Sequence, residues 1–196
     1  MKWPAYVLAG GRSSRLGQDK ARASIDDETT VIEAVVSSLF EQFSRWTVIA
    51  ERAGKFEDLN LRTIADETPH QGPVGGILRA CQDCESEYFF IVSCDRVGLK
   101  AQWAAQLAQV VDEQRPTAVT FEFDDRLEPL FGFYRADLEA TIQGFIDDGH
   151  RAVWRLLDEI GAQAVDAPCG WEETISVNTP ADLARARLLR ANPSKK

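Results

Sequence analysis

Strand-length apolar runs alternate with segments of helical period along the whole chain, and this alternation leaves few folds open. Residues 6–9 form a short apolar run that ends in Gly10-Gly11. Val31, Ile32, Val35, Val36, Leu39, Phe40 and Phe43 then recur at helical spacing and make one apolar face, with Thr29 or Thr30 placed to cap it. Residues 47–50 and 61–65 predict two more strands, and a helix follows over about 74–84. The strongest strand signal is 88–94, apolar as a buried parallel strand should be. A helix over 101–114 presents Trp103, Leu107, Val110 and Val111. Residues 117–123 and 127–134 flank Asp124-Asp125-Arg126 as a hairpin. Helices near 137–147 and 152–160, a strand at 163–166 and a last helix from Pro180, capped by Thr179, complete the pattern. The prediction is a three-layer α/β/α, Rossmann-like fold on a mostly parallel sheet with one antiparallel strand. In such folds ligands bind at the carboxyl ends of the strands.

The chain has 196 residues, which suits one domain over 1–191 with a frayed, disordered tail at 192–196. A chain of this length buries roughly 70% of its unfolded surface and needs no disulfide or metal to fold. Its net charge of −9 argues against a generic nucleic-acid or anionic-membrane binder. The charge is uneven. Residues 1–22 hold five bases and one acid, whereas the rest holds 17 bases and 30 acids. A small anion carrying its own metal ion suits that asymmetry better than a polymer. No apolar stretch is long enough for a signal peptide or a membrane span, so a cytoplasmic protein is expected. Cys81 and Cys84 are spaced as C-x-x-C, but no second close pair accompanies them and the two histidines, His70 and His150, lie far apart. Free thiols in a reducing compartment fit better than a zinc site.

The first strand leads into LAGGRSSRLGQDK. Gly10, Gly11 and Gly17 allow tight turns that bring backbone N–H groups against an anion, Ser13 and Ser14 add hydroxyl donors, and Arg12, Arg15 and Lys20 add charge. The set suits a polyphosphate. It is not a Walker A loop, since Gly17 is followed by Gln18-Asp19-Lys20, and G-x-G-x-x-G is absent. Asp95 follows the most buried strand. A carboxylate there can hold Mg²⁺, or it can cap a helix starting near Leu99. Lys20 is a point charge suited to triphosphate oxygens, and Arg15 can clamp them or pair with Asp19.

LAGGRSSRLGQDK resembles the signature of the molybdenum cofactor guanylyltransferases, a family of the nucleotidyltransferase superfamily, with Leu16 in place of the family's Met. Further similar segments follow in order: Asp66 with Pro69, Gly72, Pro73 and Gly76; Cys94-Asp95; Pro129-Leu130 through Tyr134; GHRAVWRLL at 149–157; and VNTPADL at 177–183. The resemblance spans nearly the whole chain. It implies transfer of GMP from GTP to the terminal phosphate of molybdopterin, with release of pyrophosphate and Mg²⁺ as cofactor. It assigns catalysis to Arg15, Lys20 and Asp95, the metal to Asp95, and the nucleotide to Leu8, Ala9, Gly10, Gly11, Lys20, Asp66 and Asp95. It places Arg151 and Asn178 on the acceptor side, although Asn178 can equally be a turn residue before a capped helix. Implied partners are GTP, molybdopterin and cofactor-delivery proteins or molybdoenzymes. Trp3, Trp154 and Trp171 are candidates for an interface or a pterin-binding surface.

The sequence also departs from the family. Where it usually has x-Pro after the aspartate, this chain has Arg96-Val97-Gly98, and the position of an Asn often found after the second strand falls at Ala50 or Glu51. Leu8-Ala9-Gly10-Gly11 leans toward GTP, since CTP-using members carry L-A-A-G. A CTP-dependent or other small-molecule nucleotidyltransferase, or a degenerate nucleotide-binding protein, stays open as an alternative.

Overall fold

A computed structural model describes residues 3–10, 16–67 and 71–191. The expectations for Gly11, Arg12, Ser13, Ser14, Arg15, Pro69, His70 and the tail at 192–196 lie outside these described residues. In chain order the strands are β1 (Ala5–Leu8), β2 (Trp46–Ala50), β3 (Thr63–Ala65), β4 (Tyr88–Ser93), β5 (Arg96–Val97), β6 (Ala118–Phe123), β7 (Arg126–Arg135), β8 (Gln163–Asp166) and β9 (Ile175–Ser176). The α-helices are α1 (Val31–Leu39), α2 (Gly72–Asp83), α3 (Ala101–Gln114), α4 (Glu139–Asp147), α5 (Val153–Glu159) and α6 (Pro180–Ala191).

Seven strands form one sheet in the order β3-β2-β1-β4-β7-β6-β8. Every neighbouring pair is parallel except the two that involve β7, which runs against both β4 and β6. Alternate residues of each strand point to opposite faces, and both faces are covered. On one face Val7, Val48, Phe90, Val92 and Phe133 pack against α1, α3 and α6 through Val31, Val35, Trp103, Leu107 and Leu183. On the other, Tyr6, Ile49, Phe89, Ile91 and Tyr134 pack against α2, α4 and α5 through Ile77, Ile142, Phe145 and Leu156. This is the three-layer α/β/α arrangement that the alternation predicts.

Local chemistry sets the element boundaries. Thr30 caps α1 through a reciprocal box: its hydroxyl oxygen accepts from Glu33 N–H, and Glu33 Oε2 accepts from Thr30 N–H at 2.8 Å. Thr179 and Asp182 do the same for α6. Asp124 and Asp125, with φ of 51° and 56°, make the two-residue turn between β6 and β7. Arg96–Val97 pairs with Ile175–Ser176 in a small antiparallel ribbon that the periodicity does not signal. Trp3 and Trp171 are core residues at 3% and 1% exposure, so of the three tryptophans considered for a binding surface only Trp154 is exposed. All four cysteines are free thiols, and burial pushes the Cys94 thiol up to about 12. Among the described residues no helix is long and apolar enough to cross a membrane.

One polar cluster ties the sheet to α2. Asp83, the last residue of α2, accepts from Arg62 in a two-pronged pair at 2.7 and 2.8 Å and from the Tyr6 hydroxyl at 3.0 Å. Burial works to raise the Asp83 carboxyl, but the bonds from Arg62 and Tyr6 and the charges of Arg62 and Arg45 outweigh it and hold the group below the ordinary aspartate value. The stabilisation is therefore present above the unfolded-state value of about 3.9 and is lost as pH falls through the lower folded value. Asp83→Asn is expected to cost about 1 kcal/mol at pH 7, a modest figure because both arginines are partly solvated. Urea denaturation at pH 7, 5 and 3 checks this. The gap to wild type should persist at pH 5 and narrow only as pH falls below the ordinary aspartate value toward the lower folded one.

Candidate active site

The chain runs outward from β1 through β2 to β3, then returns to the other side of β1 to form β4. The order therefore reverses between β1 and β4, and loops leaving these strands at their carboxyl ends diverge and open a crevice. A cleft of about 1390 Å³ lies there. Its floor includes Leu8 and Gly10 at the end of β1, Ser93 and Asp95 at the end of β4, Ile49 and Glu51 around the end of β2, and Asp66 after β3. The start of α2 contributes Gly72, Pro73 and Gly76. A Cβ on Gly76 would stand 2.9 Å from Leu8 Cδ2, so the glycine lets the helix close onto the end of β1.

Asp95 is placed by the backbone on both sides of it. Cys94 N–H donates to Leu8 C=O at 3.1 Å, and Asp95 C=O accepts from Val177 N–H at 2.8 Å. Its residue is 8% exposed, and its Oδ2 accepts from Lys20 Nζ at 2.5 Å. The helix-capping alternative does not hold: α3 begins after Lys100 without a side-chain cap. Two residues 75 apart in sequence, one from the glycine-rich loop and one just past the end of β4, thus meet where the strand order reverses.

A second charge cluster borders the first. Lys55 Nζ lies 2.6 Å from Asp19 Oδ2 and 3.0 Å from a Glu51 carboxylate oxygen, and sits 5.0 Å from the centre of the Phe56 ring. Burial opposes the Lys55 charge, but the bonds to Asp19 and Glu51 outweigh it and hold the ammonium above the ordinary lysine value. Asp19 also accepts from Ala21 N–H at 3.0 Å, which fixes the turn that presents Lys20. Lys55, Glu51 and Asp19 all line the cleft. Sequence reasoning missed Lys55. Its signal is weak, since the lysine is 36 residues from Asp19 and belongs to no motif.

The opposite wall comes from β7. Between Gly132, opposite Thr120, and Leu127, opposite Glu122, β7 holds four residues where β6 holds one. The excess bulges out and carries Glu128, Pro129 and Leu130 into the cleft. Pro129 has no N–H for a ladder and is tolerated at such a bulge. Tyr134 O–H donates to Pro129 C=O at 2.7 Å, and Thr120 donates to Glu128 C=O, so the bulge is anchored. Arg96, the residue after Asp95, faces this wall and pairs with Glu128 at 3.0 Å.

Of the residues singled out in the sequence, Leu8, Gly10, Lys20, Asp66 and Asp95 line the cleft. Ala9 lies beneath it, 7% exposed, with its N–H bonded to Ile49 C=O at 2.9 Å. Gly11 and Arg15 are outside the described residues. Arg151 donates to Ile146 C=O and His150 C=O at 2.8 and 2.6 Å at the approach to α5. Asn178 N–H donates to Asp182 at the start of α6. The cleft lining on that side comes instead from Ser176.

Known proteins share this architecture. Residues 5–165 match the MobA-like NTP transferase domain. The chain is 31% identical to a probable molybdenum cofactor guanylyltransferase of Mycolicibacterium paratuberculosis, over 97% of this chain and 98% of that protein. It is 30% identical to one of Aquifex aeolicus, over 92% and 88%. The solved structure of molybdopterin-guanine dinucleotide biosynthesis protein A from Archaeoglobus fulgidus superposes with a TM-score of 0.80 at 20% identity, over 96% of this chain and 99% of that one, and so shares its fold. With a signature loop meeting Asp95 at the sheet's switch point and a domain match over most of its length, the chain is a nucleotidyltransferase and belongs to the MobA-like NTP transferase family, alongside the molybdenum cofactor guanylyltransferases.

Proposed function

We propose that the chain transfers GMP from GTP to the terminal phosphate of molybdopterin and releases pyrophosphate. The observation that carries this reading is the Lys20–Asp95 pair at the switch point of a cleft large enough for a nucleotide and an acceptor together. The names of the end-to-end relatives support the acceptor and the nucleotide, and Leu8-Ala9-Gly10-Gly11 supports GTP over CTP.

An oxygen of the acceptor phosphate attacks the α-phosphorus of GTP in line. The new P–O–P bond forms as the bond to the β-phosphate oxygen breaks, and its electron pair leaves with pyrophosphate. The nucleophile is already an anion, so no general base is needed. Catalysis rests on positioning and charge neutralisation. Lys20 moves from Asp95 to a phosphate oxygen, and Arg15 supplies a second cation. Leu8, Ala9, Gly10, Gly11 and Asp66 hold the nucleotide, whereas Arg151 and Asn178, assigned to the acceptor by the resemblance, are not among the residues that line the cleft.

Asp95 fits a divalent cation, which we take to be Mg²⁺. It is a nearly buried carboxylate on the cleft floor, and Mg²⁺ is held by one or two carboxylates with substrate phosphates and water completing its shell. When bound, the ion would neutralise charge on the α-phosphate. The test is product identity: GTP, Mg²⁺ and molybdopterin should yield pyrophosphate and a guanine dinucleotide.

A further inference from the structure

The Arg96 guanidinium is held from three directions. Trp171 lies beneath it with the ring centre 4.8 Å away, Glu128 Oε2 forms an ion pair with it at 3.0 Å, and Thr174 Oγ1 accepts a hydrogen bond at 3.4 Å. Trp171 cannot yield, because it is wedged among Phe121, Phe131 and Trp103 at ring-centre distances of 5.1 to 5.4 Å. The backbone of Arg96 is fixed too, paired with Ser176 across the β5–β9 ribbon. A planar fork so fixed is pre-organised for a planar or tetrahedral oxyanion. In the free protein Glu128 supplies that oxyanion.

Both side chains line the main cleft, on the β7 side of Asp95, whereas Lys20, Lys55 and Asp66 lie toward β1, β2 and β3. If the nucleotide fills the β1–β3 half, the molecule that meets Arg96 is the acceptor. Its reacting group must stand beside the α-phosphate and therefore beside Asp95, the residue to which Arg96 is joined. We propose that Arg96 binds the acceptor's phosphate monoester and that Glu128 occupies the guanidinium until that phosphate displaces it. Glu128 then acts as a threshold: an incoming anion must outcompete a carboxylate already in place. This assignment rests on the guanylyl-transfer reading for the identity of the acceptor, but not for the anion chemistry of the fork.

Three variants, Arg96→Ala, Arg96→Lys and Glu128→Gln, test it with two readouts. The first is the acceptor KM in pyrophosphate release, with GTP affinity measured separately by calorimetry. Arg96→Ala should raise the acceptor KM at least about tenfold, the loss expected for hydrogen bonds to a charged group. Arg96→Lys keeps the charge and should restore only part of it, because the fork and the stacking on Trp171 are gone. Glu128→Gln should lower the acceptor KM, and GTP affinity should stay within about twofold in all three. The second readout is inorganic phosphate titrated calorimetrically into each protein in the presence of a non-hydrolysable GTP analogue. Phosphate should bind more tightly to Glu128→Gln than to wild type and most weakly to Arg96→Ala. Equal phosphate binding by all the proteins overturns the proposal, and so does a loss of GTP affinity in Arg96→Ala as large as the loss of acceptor affinity. If wild type makes no pyrophosphate from GTP and molybdopterin, the guanylyl-transfer reading fails, and the phosphate titration still decides the role of Arg96.

Discussion

Asp95→Ala is expected to lower kcat/KM for nucleotidyl transfer by about 10²- to 10³-fold, the range seen when a single group that stabilises developing charge is removed. The carboxylate is 8% exposed, stands at the carboxyl end of the central strand β4, and is the acidic side chain that the signature lysine meets. On the proposed reading its loss removes a ligand for the cation, and it breaks the ion pair with Lys20. The fold should survive. The backbone bonds from Cys94 N–H to Leu8 and from Val177 N–H to Asp95 C=O do not involve the side chain, and the lysine end is 23% exposed and can turn to water. Asp95→Asn separates charge from shape. It keeps an oxygen for Lys20 but presents no anion to a metal, so it should be nearly as inactive as alanine while melting close to wild type. Steady-state pyrophosphate release over a range of Mg²⁺ concentrations, with circular dichroism on the same preparations, checks both parts.

Gly132→Ala should be the most damaging single methyl group in the fold. Gly132 is in β7 between Ile91 of β4 and Thr120 of β6. A Cβ there would lie 2.5 Å from the backbone carbonyl oxygen of Val119 and 3.1 Å from Thr120 Cβ. Neither atom is the end of a flexible side chain, so two strands in the middle of the sheet must separate. Overpacking of this kind costs about 3 kcal/mol, equivalent to a drop in Tm of roughly 6–12 °C for a chain of this size. Gly144 is the contrast. It sits in α4 with no atom within 4 Å of its hypothetical Cβ, and Gly144→Ala should be neutral or stabilising by up to about 1 kcal/mol. Thermal melts of the two variants beside wild type settle the comparison.

The layered fold was legible because each of its signals is local. The helical spacing from Val31 to Leu39, the threonine cap, the apolar run at 88–94 and the Asp124-Asp125 turn each act over a few residues and reappear in the structure, whereas α1 ends at Leu39 and Phe40, expected on its apolar face, is 60% exposed. The floor of the cleft was legible for a related reason: Leu8, Gly10, Lys20, Asp66 and Asp95 directly follow strands or belong to the glycine-rich loop. Its walls were not. Lys55 with Asp19, and Arg96 with Glu128, are partners 36 and 32 residues apart, and a sequence carries the charges without saying which of them meet. The ribbon of β5 and β9 has two residues per strand, too few for any period to show. Trp171 is a candidate for a binding surface on its sequence alone. Only the packing of Phe121, Phe131 and Trp103 around it shows that it supports Arg96 from below.

The most direct measurement offers the wild-type chain equal GTP and CTP in one reaction with molybdopterin and Mg²⁺, and identifies the dinucleotide product by mass. A guanine dinucleotide formed in stoichiometric step with pyrophosphate, and abolished by chelating the metal, is the predicted result. A cytosine dinucleotide would contradict the nucleotide assignment while leaving the chemistry at Asp95 in place. Nucleotide binding with no pyrophosphate under any of these conditions would contradict guanylyl transfer itself.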